Sequence, residues 1–474
     1  MIRVFQQFIP RRKLLLVASE TCLLTAGLLV GTSLPGLAVR PIEEASSGEV
    51  WRGALSALTV AVLCQVSISY NDLYDWRISR NRLDLPNRLL HAAGFSLILL
   101  SVIVFFFPTL FYFPSMPTLQ GQTWKLVVVL AASFAILYWW RLGFHWFFYK
   151  WGRSEKLLVL GTGDLARDLI EEIKERGDVG FEVVGCVGRR KPAPDFPSVW
   201  LGGPESLPNL AVEHRVSRVI VALEQRRGEL PVQELLQCRL AGMRVEERDY
   251  LYERLHGRIG LDSLRPSYLI FGSGFRKSRI VLGAKRVFDI LLALVGLVLA
   301  APFMIAIAII IKLDSKGPVF FQQVRSGLDG QDFTLLKFRS MREDAEKQSG
   351  PVWAQKKDDR ITRPGKILRA TRLDEVPQMF NILLGDMSWV GPRPERPFFV
   401  KQLSDEIPYY MERLTVRPGL TGWAQIKYPY GASIDDARRK LEFDLYYIKN
   451  MGLLFDLTIL LRTIKVVLFQ RGSR

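Results

Sequence analysis

The stretch VFDILLALVGLVLAAPFMIAIAIII, residues 287–311, contains 25 residues and a single charge, Asp289. As a helix this stretch is about 37 Å long, which exceeds the roughly 30 Å hydrocarbon core of a bilayer. Pro302 lies inside it, where a proline removes one helical hydrogen bond and bends the helix. The pattern permits a kinked span or a re-entrant helix–break–helix over residues 286–312. We expect the re-entrant form, broken at Pro302, because a full crossing would separate the phosphate-binding residue types that follow from soluble nucleotides.

Four more apolar runs precede this stretch, at residues 14–34, 53–70, 89–113 and 126–148. Each run is long enough to cross a hydrocarbon core. Helices buried in a large soluble enzyme are the alternative, but the short charged loops between the runs favour transmembrane helices. Glu20 interrupts the first run and further runs follow, which indicates a retained anchor rather than a cleaved signal peptide. We therefore expect a four-helix transmembrane region over residues 1–150.

Basic residues are concentrated at one end of these runs. They lie before the first run, between the second and third, and after the fourth: Arg3, Arg11, Arg12, Lys13, Arg77, Arg80, Arg82, Arg88, Lys150, Arg153 and Lys156. Short loops rich in Lys and Arg remain in the cytoplasm. The N-terminus and the chain after the fourth run are therefore expected to be cytoplasmic.

Net charge and composition narrow the class of protein. The 474 residues include 64 Lys and Arg against 47 Asp and Glu, a net charge of +17, which suits phosphates, lipid headgroups or nucleic acid as partners. The long apolar runs favour a membrane protein over a nucleic-acid binder. Hydrophobic residues make up 49% of the chain, which excludes a disordered protein. The four cysteines lack paired or metal-ligand spacing.

A glycine motif opens the middle of the chain. The segment Lys156-Leu-Leu-Val-Leu-Gly-Thr-Gly-Asp-Leu-Ala166 is typical of a buried strand that enters a glycine turn and a helix. Gly161 and Gly163 would let a nucleotide phosphate approach the backbone, although a tight turn without a ligand gives the same pattern. Further alternation of strands and helices predicts a Rossmann-like α/β domain over residues 151–275.

After Pro318 the chain becomes basic and is punctuated by Gly and Pro. The motifs are Lys337-Phe-Arg-Ser-Met-Arg342, Asp358-Asp-Arg-Ile-Thr-Arg363, Arg369-Ala-Thr-Arg-Leu-Asp-Glu-Val-Pro377, Gly391-Pro-Arg-Pro394 and Arg417-Pro-Gly-Leu-Thr-Gly-Trp-Ala424. With these motifs, residues 280–474 resemble the bacterial polyprenyl-phosphate sugar-1-phosphate transferases of the monotopic phosphoglycosyl transferase superfamily. The four predicted spans and the middle domain make the whole chain similar to the large form of that family. Tyr428-Pro-Tyr-Gly-Ala-Ser433 and Asp444-Leu-Tyr-Tyr-Ile-Lys449 resemble its exosortase-associated exopolysaccharide branch.

Two adjacent carboxylates, Asp374 and Glu375, follow Arg369 and Arg372. Such residues can bind a divalent metal while the guanidinium groups hold a diphosphate; a helix-capping or solvated pair is the alternative. The resemblance implies that Asp374 attacks the phosphate that bears the sugar, with Glu375 beside it and Mg²⁺ bound by both. It also implies that Lys337, Arg369 and Arg393 bind phosphate. One departure is Ala301, since smaller family members usually carry Ser before the re-entrant proline.

The resemblance also implies partners and location. A UDP-sugar and undecaprenyl phosphate would be the substrates, UMP the released product and membrane lipid the surroundings, with no nucleic acid; homodimerisation is left open. The protein would be a multi-pass protein of the bacterial inner membrane with its catalytic domain facing the cytoplasm. The expected fold is an integral membrane protein with an α-helical N-terminal bundle, a Rossmann-like α/β middle domain and an α-rich membrane-associated catalytic domain that contains the re-entrant helix.

Two other functions are weighed against this one. A membrane-anchored nucleotide-sugar dehydratase or epimerase would need a catalytic Tyr-x-x-x-Lys, and no such spacing occurs in the sequence. A non-catalytic scaffold for polysaccharide assembly is disfavoured by the intact Asp374, Glu375 and Arg393 motifs. Finally, residues 453–469 predict an amphipathic helix that lies on the membrane or packs under the catalytic domain.

Overall fold

The computed structural model describes residues 2–4, 7–38, 45–75, 84–107, 109–115, 123–151, 154–176, 179–225, 228–262, 264–342, 360–428, 431 and 433–468. Several residues that the sequence singled out lie outside these ranges: Arg77, Arg80, Arg82, Arg153, Asp358 and Asp359. The chain divides into two compact units, which are mainly Ile9–Arg248 and Asp249–Arg474. Near the N-terminus two short strands pair with each other, β1 (Ile2–Val4) and β2 (Gln7–Ile9).

The first unit begins with a bundle of long apolar helices: α1 (Arg11–Ser33), α2 (Ser47–Tyr70), α3 (Asp84–Phe106) and α4 (Thr123–Trp151). All four are long and apolar enough to cross a membrane. Their shared core includes Leu24, Ala57, Leu89 and Leu130. Glu20 is fully buried in this bundle and pairs with Arg141 at 2.7 Å, so the charge that interrupts the first apolar run has an internal partner.

The same unit continues as a five-stranded sheet with the order β5-β4-β3-β6-β7, and all its strand pairs are parallel. The strands are β3 (Glu155–Leu160), β4 (Phe181–Val187), β5 (Trp200–Gly202), β6 (Arg218–Val221) and β7 (Arg244–Glu247). The connecting helices are α5 (Asp164–Glu175), α6 (Leu207–Glu213) and α7 (Val232–Leu240). This strand order, with β3 in the centre, is the doubly wound order of Rossmann folds, as predicted.

The second unit is mostly helical. Its helices are α8 (Arg248–His256), α9 (Pro266–Phe271), α10 (Arg279–Asp314), α11 (Arg363–Ala370), α12 (Gln378–Leu384), α13 (Pro397–Glu406), α14 (Trp423–Lys427), α15 (Ile434–Asn450) and α16 (Leu453–Leu468). An antiparallel hairpin joins β8 (Phe320–Ser326) to β9 (Asp332–Phe338), and a parallel pair joins β10 (Ser388–Val390) to β11 (Gly419–Thr421). The largest buried cluster of this unit includes Leu441, Leu445 and Tyr447 of α15.

The predicted break at Pro302 does not occur, because α10 runs uninterrupted from Arg279 to Asp314 with Pro302 inside it. A proline removes one backbone donor and crowds the preceding turn, and a long helix tolerates this when packing holds both sides. Ala293, before the proline, packs with Leu335 and Ile382. Ile307, after it, packs with Phe338. The helix therefore lies along its own unit on both sides of Pro302, and re-entry into the membrane stays a prediction.

Most apolar side chains of α10 face outward. The exposed ones include Val287, Leu291, Leu294, Val295, Val298, Leu299, Phe303, Ile305, Ile309, Ile310 and Leu313. An apolar surface of this extent is costly in water and is typical of a membrane or protein contact. With α10 included, five helices of the described chain are long and apolar enough to cross a membrane.

Residues 249–275, which the sequence places in the middle domain, pack within the second unit. Ile259, Leu261 and Tyr268 share a core with Trp423 and other residues of α14 and α15. The indole of Trp423 also donates a 2.8 Å hydrogen bond to the carbonyl of Gly257. The segment before α10 is therefore part of the C-terminal core, which no local sequence pattern indicates.

The helix expected near the C-terminus is α16, and it has two apolar faces. On the inner face Phe455 and Ile459 are fully buried. Asp456 forms an ion pair with Lys285 of α10, with 2.6 Å between Nζ and Oδ2. On the outer face the exposed side chains are Leu454, Leu457, Leu461 and Ile464. The inner face packs under the domain, as one of the two interpretations requires, and the outer face leaves the membrane interpretation open.

Candidate active site

The adjacent carboxylates Asp374 and Glu375 lie on a short 3₁₀ turn, Leu373–Glu375, between α11 and α12. Arg372 precedes the turn with φ 60°, a left-handed conformation that costs a non-glycine residue energy. Arg372 lies between the end of α11 and this turn, so the helix does not continue into the two carboxylates. Both carboxylate residues are more than nine-tenths buried, with exposures of 7% and 8%.

Asn381 of α12 fixes this turn against the hairpin. Its side-chain amide donates a 2.8 Å hydrogen bond to the carbonyl of Thr334, and its Oδ1 accepts one of 3.0 Å from the backbone N–H of Leu336. Asn381 thereby satisfies two backbone groups of β9 that the two-stranded hairpin leaves unpaired. Lys337 is the residue after Leu336 on β9, and this anchoring places its side chain beside Glu375.

Glu375 is surrounded by cations. Its Oε1 accepts hydrogen bonds from Lys337 Nζ at 3.0 Å and from Arg393 Nη2 at 2.7 Å, and Arg372 Nη1 lies 3.8 Å away. Burial by itself would raise the pKa of Glu375, but Arg393, Lys337 and Arg372 outweigh it and hold the pKa well below its ordinary value. Glu375 is therefore ionised at neutral pH and holds two phosphate-binding candidates in place.

Asp374 has the opposite environment. Burial raises the pKa of its carboxyl group above the ordinary value, although Lys337, Arg369 and Arg372 oppose this rise. Among the described residues no hydrogen-bond donor reaches Asp374 Oδ1, which is buried. An unpaired buried carboxylate oxygen is costly in a folded protein unless a ligand or reaction uses it. Of the two carboxylates, Asp374 is the one available for chemistry.

Arg393 is held by its backbone as well as by Glu375. It follows β10, which pairs with β11 so closely that a Cβ on Gly391 would clash with the carbonyl of Arg417. The carbonyl of Arg393 accepts a 2.9 Å hydrogen bond from Arg413, whose guanidinium is also 3.1 Å from Asp444. The side chain of Arg393 is about one-third exposed, so it can reach both Glu375 and a bound ligand.

Arg369 lies on α11 and donates a 2.9 Å hydrogen bond from Nε to Ser340 Oγ. It lowers the pKa of Asp374 from there. The structure thus brings Lys337, Arg369, Arg393, Asp374 and Glu375 together. Arg372, whose guanidinium the sequence also indicates for the diphosphate, lies 3.8 Å from Glu375. The structure adds Arg413, which supports Arg393. No sequence signal marks Arg413, because its contacts with Arg393 and Asp444 join segments that are distant in sequence.

Asp374 and Glu375 offer the kind of donor atom that Mg²⁺ binds. This ion prefers oxygen ligands and is usually held by one or two carboxylates together with substrate phosphates. Asp374 and Glu375 supply two such carboxylates, and Asp374 Oδ1 has no protein donor among the described residues. In the described part of the chain no third acidic, His or Cys residue joins them in a metal-binding group. The pair fits an ion that arrives with a diphosphate.

Gly161 and Gly163 lie in the other unit, in the turn between β3 and α5.

The described chain combines five helices of membrane length with a pair of buried carboxylates set among Lys and Arg. Residues 280–470 match the bacterial sugar transferase family, and residues 69–237 match a CoA-binding domain. The chain belongs to the bacterial sugar transferase family. Membership of the exosortase-associated branch stays a prediction.

Three relatives illustrate the match. The UDP-N-acetylgalactosamine-undecaprenyl-phosphate N-acetylgalactosaminephosphotransferase of Aeromonas hydrophila is 46% identical over 240 residues, 51% of this chain and 56% of that protein. The UDP-glucose:undecaprenyl-phosphate glucose-1-phosphate transferase of Escherichia coli strain K12 is 34% identical over 316 residues, 65% of this chain and 67% of that protein. The exopolysaccharide production protein PSS of Rhizobium leguminosarum bv. phaseoli is 43% identical over 185 residues, 38% of this chain and 92% of that protein. The chain spans just over half of the Aeromonas relative's length.

Proposed function

We propose that this protein transfers hexose-1-phosphate from a UDP-sugar to undecaprenyl phosphate, a first membrane step of exopolysaccharide biosynthesis. The observation that carries the proposal is Asp374, whose buried Oδ1 has no donor among the described residues while Glu375 beside it is bound by Lys337 and Arg393. The names of the relatives support the reaction class. They differ in the sugar, N-acetylgalactosamine in one and glucose in another, so the sugar is not assigned.

The reaction runs in two steps at one carboxylate. Asp374 attacks the phosphorus that bears the sugar, the bond from that phosphorus to the UMP oxygen breaks, and UMP leaves with the bonding electron pair. A phosphate oxygen of undecaprenyl phosphate then attacks the aspartyl-phosphosugar and expels Asp374 as a carboxylate. A carboxylate nucleophile suits this order, because it separates a soluble donor from a lipid acceptor in time.

The basic residues position the diphosphate and offset its charge, which is how proteins accelerate phosphoryl transfer. Lys337 and Arg393 are oriented by Glu375, and Arg369 approaches from α11. A bound Mg²⁺, held by Asp374 and Glu375, would offset further negative charge on the phosphates. We expect Arg393 to contribute most to diphosphate binding, because its guanidinium is partly exposed and can form paired hydrogen bonds to phosphate.

The same proposal places the catalytic unit on the cytoplasmic side of the bacterial inner membrane. The basic residues at one end of the N-terminal helices support this orientation, and UDP-sugars are soluble cytoplasmic compounds. Contacts of α10 with one unit on both sides of Pro302 support a helix whose two ends lie on the same side of the membrane. Homodimerisation stays a prediction.

Transfer of radiolabelled sugar phosphate into lipid, and release of UMP, test the role of Asp374. We expect Asp374→Asn to insert normally and to lose activity by more than about a thousandfold, because an amide is not a nucleophile for phosphorus. Asp405→Asn is the matched control, since Asp405 is exposed on α13 and should retain activity. Release of UMP by Asp374→Asn at near the wild-type rate would contradict the proposal and favour a different nucleophile. Absence of transfer by the wild-type chain with every UDP-sugar tried would favour the scaffold.

A further inference from the structure

Contacts within the protein explain why glycines occupy the turn after β3, and the first of these is Gly161. Its φ is +140°, and a Cβ there would clash with the carbonyl oxygen of Ala222 at the end of β6. The backbone N–H of Ala222 in turn donates a 2.8 Å hydrogen bond to the carbonyl of Leu160. The neighbouring strand therefore requires glycine at position 161 whether or not a ligand binds.

Gly163 precedes α5, where a Rossmann domain receives the pyrophosphate of its ligand against the helix N-terminus. Here the carboxylate of Glu224 occupies that position. Glu224 Oε1 accepts a 2.9 Å hydrogen bond from the backbone N–H of Asp164, and a Cβ on Gly163 would clash with the same oxygen. The absence of a side chain at Gly163 makes room for a carboxylate of the protein, which makes the contact that a ligand phosphate would make.

A second dinucleotide feature is also missing. In Rossmann domains that bind NAD, an acidic residue near the end of the second strand binds the ribose hydroxyls, whereas an arginine there suits the 2′-phosphate of NADP. In this chain β4 is followed by Gly188-Arg189-Arg190, without an acid. Arg189 donates a 3.1 Å hydrogen bond to the carbonyl of Gly228, so this end of the sheet is also tied to its own loop.

We infer that Glu224 is the built-in anion of the glycine turn, and that it closes this turn to the pyrophosphate of a dinucleotide or of CoA. The inference does not depend on the transferase proposal. It departs from the CoA-binding description of the family that matches residues 69–237. Removal of the carboxylate should expose the N-terminal N–H groups of α5 and Gly163 together, and create an anion site that the wild-type protein lacks.

Hydrogen–deuterium exchange on the full-length chain in detergent tests this inference locally, with CoA and NAD⁺ as probes. Peptides that cover residues 155–175 report on the glycine turn, whereas binding of a diphosphate to the catalytic unit leaves them unchanged. We expect neither probe to protect these peptides in the wild-type protein. In Glu224→Ala we expect protection at probe concentrations at least about fivefold lower than any that affect the wild-type protein, since a charge at a helix N-terminus changes affinity on this scale.

Glu229→Ala is the matched control, because Glu229 is exposed in the same unit and its loss should leave the wild-type pattern. Glu224→Gln retains an acceptor oxygen without the charge, and should give intermediate protection if Glu224→Ala unfolds. Equal protection of wild type and Glu224→Ala at one CoA or NAD⁺ concentration would overturn the inference. It would also be overturned if Glu224→Ala folds and neither probe protects it.

Discussion

At the residue scale, two adjacent carboxylates have different roles because their neighbours differ. Glu375 is paired with Lys337 and Arg393, which keeps it ionised and makes it a positioning group. Asp374 is buried with an oxygen that no described donor reaches, which keeps it available for reaction. The division of roles depends on which cation each side chain faces, and it is the basis for a prediction about pH.

Lys337→Met should shift the pH profile of the reaction. Lys337 lowers the pKa of Asp374, and burial raises it; loss of the lysine therefore raises this pKa further. Asp374 must be ionised to attack, so the acidic limb of kcat/KM should move to higher pH. At neutral pH, kcat/KM should also fall roughly 10- to 100-fold, because a charge-assisted hydrogen bond contributes about 1.5–3 kcal/mol.

UMP release measured between pH 5 and 9 checks this expectation. Lys366→Met is the matched control, because Lys366 is exposed on α11 and should leave the limb in place. A limb that moves to lower pH in Lys337→Met, or does not move, would show that Lys337 does not act on the ionisation of Asp374.

At the element scale, α10 combines the composition of a membrane span with the contacts of a domain helix. Its 36 residues are continuous through Pro302, and at 1.5 Å per residue a straight helix of this length would be about 54 Å long. Side chains on both sides of the proline pack against β9. A bilayer cannot surround those faces, so the membrane contact is limited to the outward apolar face.

Cysteine labelling tests the path of α10 in intact cells. If both ends of α10 lie on the cytoplasmic side, cysteines at its first residue and just beyond its last should react with an impermeant reagent only after permeabilisation. The variants are Arg279→Cys and Lys316→Cys, both at exposed positions. A cysteine in the loop between α3 and α4, which the charge pattern places outside, is the positive control. Labelling of Lys316→Cys from outside, with Arg279→Cys protected, would establish a full crossing.

At the scale of the whole molecule, the second unit begins earlier in the chain than the family match. The match begins at residue 280, whereas the second unit begins at Asp249. Buried Lys449 of α15 donates a 2.6 Å hydrogen bond to Glu253, and Tyr268 donates to the same carboxylate. A fragment that starts at 276 lacks both residues and leaves the Lys449 charge buried without these partners.

We therefore expect residues 249–474 to form an active and stably folded fragment in detergent. We expect the fragment 276–474 to be much less stable to thermal unfolding. Breaking a buried ion pair by removal of one partner costs about 3–5 kcal/mol, and the lost packing of Ile259 and Leu261 adds to this cost. Thermal unfolding and UMP release of the two fragments, both with their proposed site residues intact, provide the measurement. Equal stability would mean that residues 249–275 are a dispensable linker. Inactivity of a stable 249–474 fragment would show that the first unit completes the site.

The sequence by itself determined the parts of this protein that depend on local pattern. Apolar runs of membrane length predicted α1 to α4 and α10, because hydrophobic length is a property of a continuous segment. The strand-and-glycine pattern predicted the Rossmann-like sheet, and the motifs around Asp374 and Arg393 predicted the candidate site. Only the tertiary structure decided what these residues touch. It joined Glu375 to Lys337 and Arg393 from separate elements, kept α10 continuous at Pro302, assigned residues 249–275 to the second unit, and placed Glu224 on the glycine turn. Each of these depends on contacts between residues distant in sequence, and such contacts form only when packing brings the elements together.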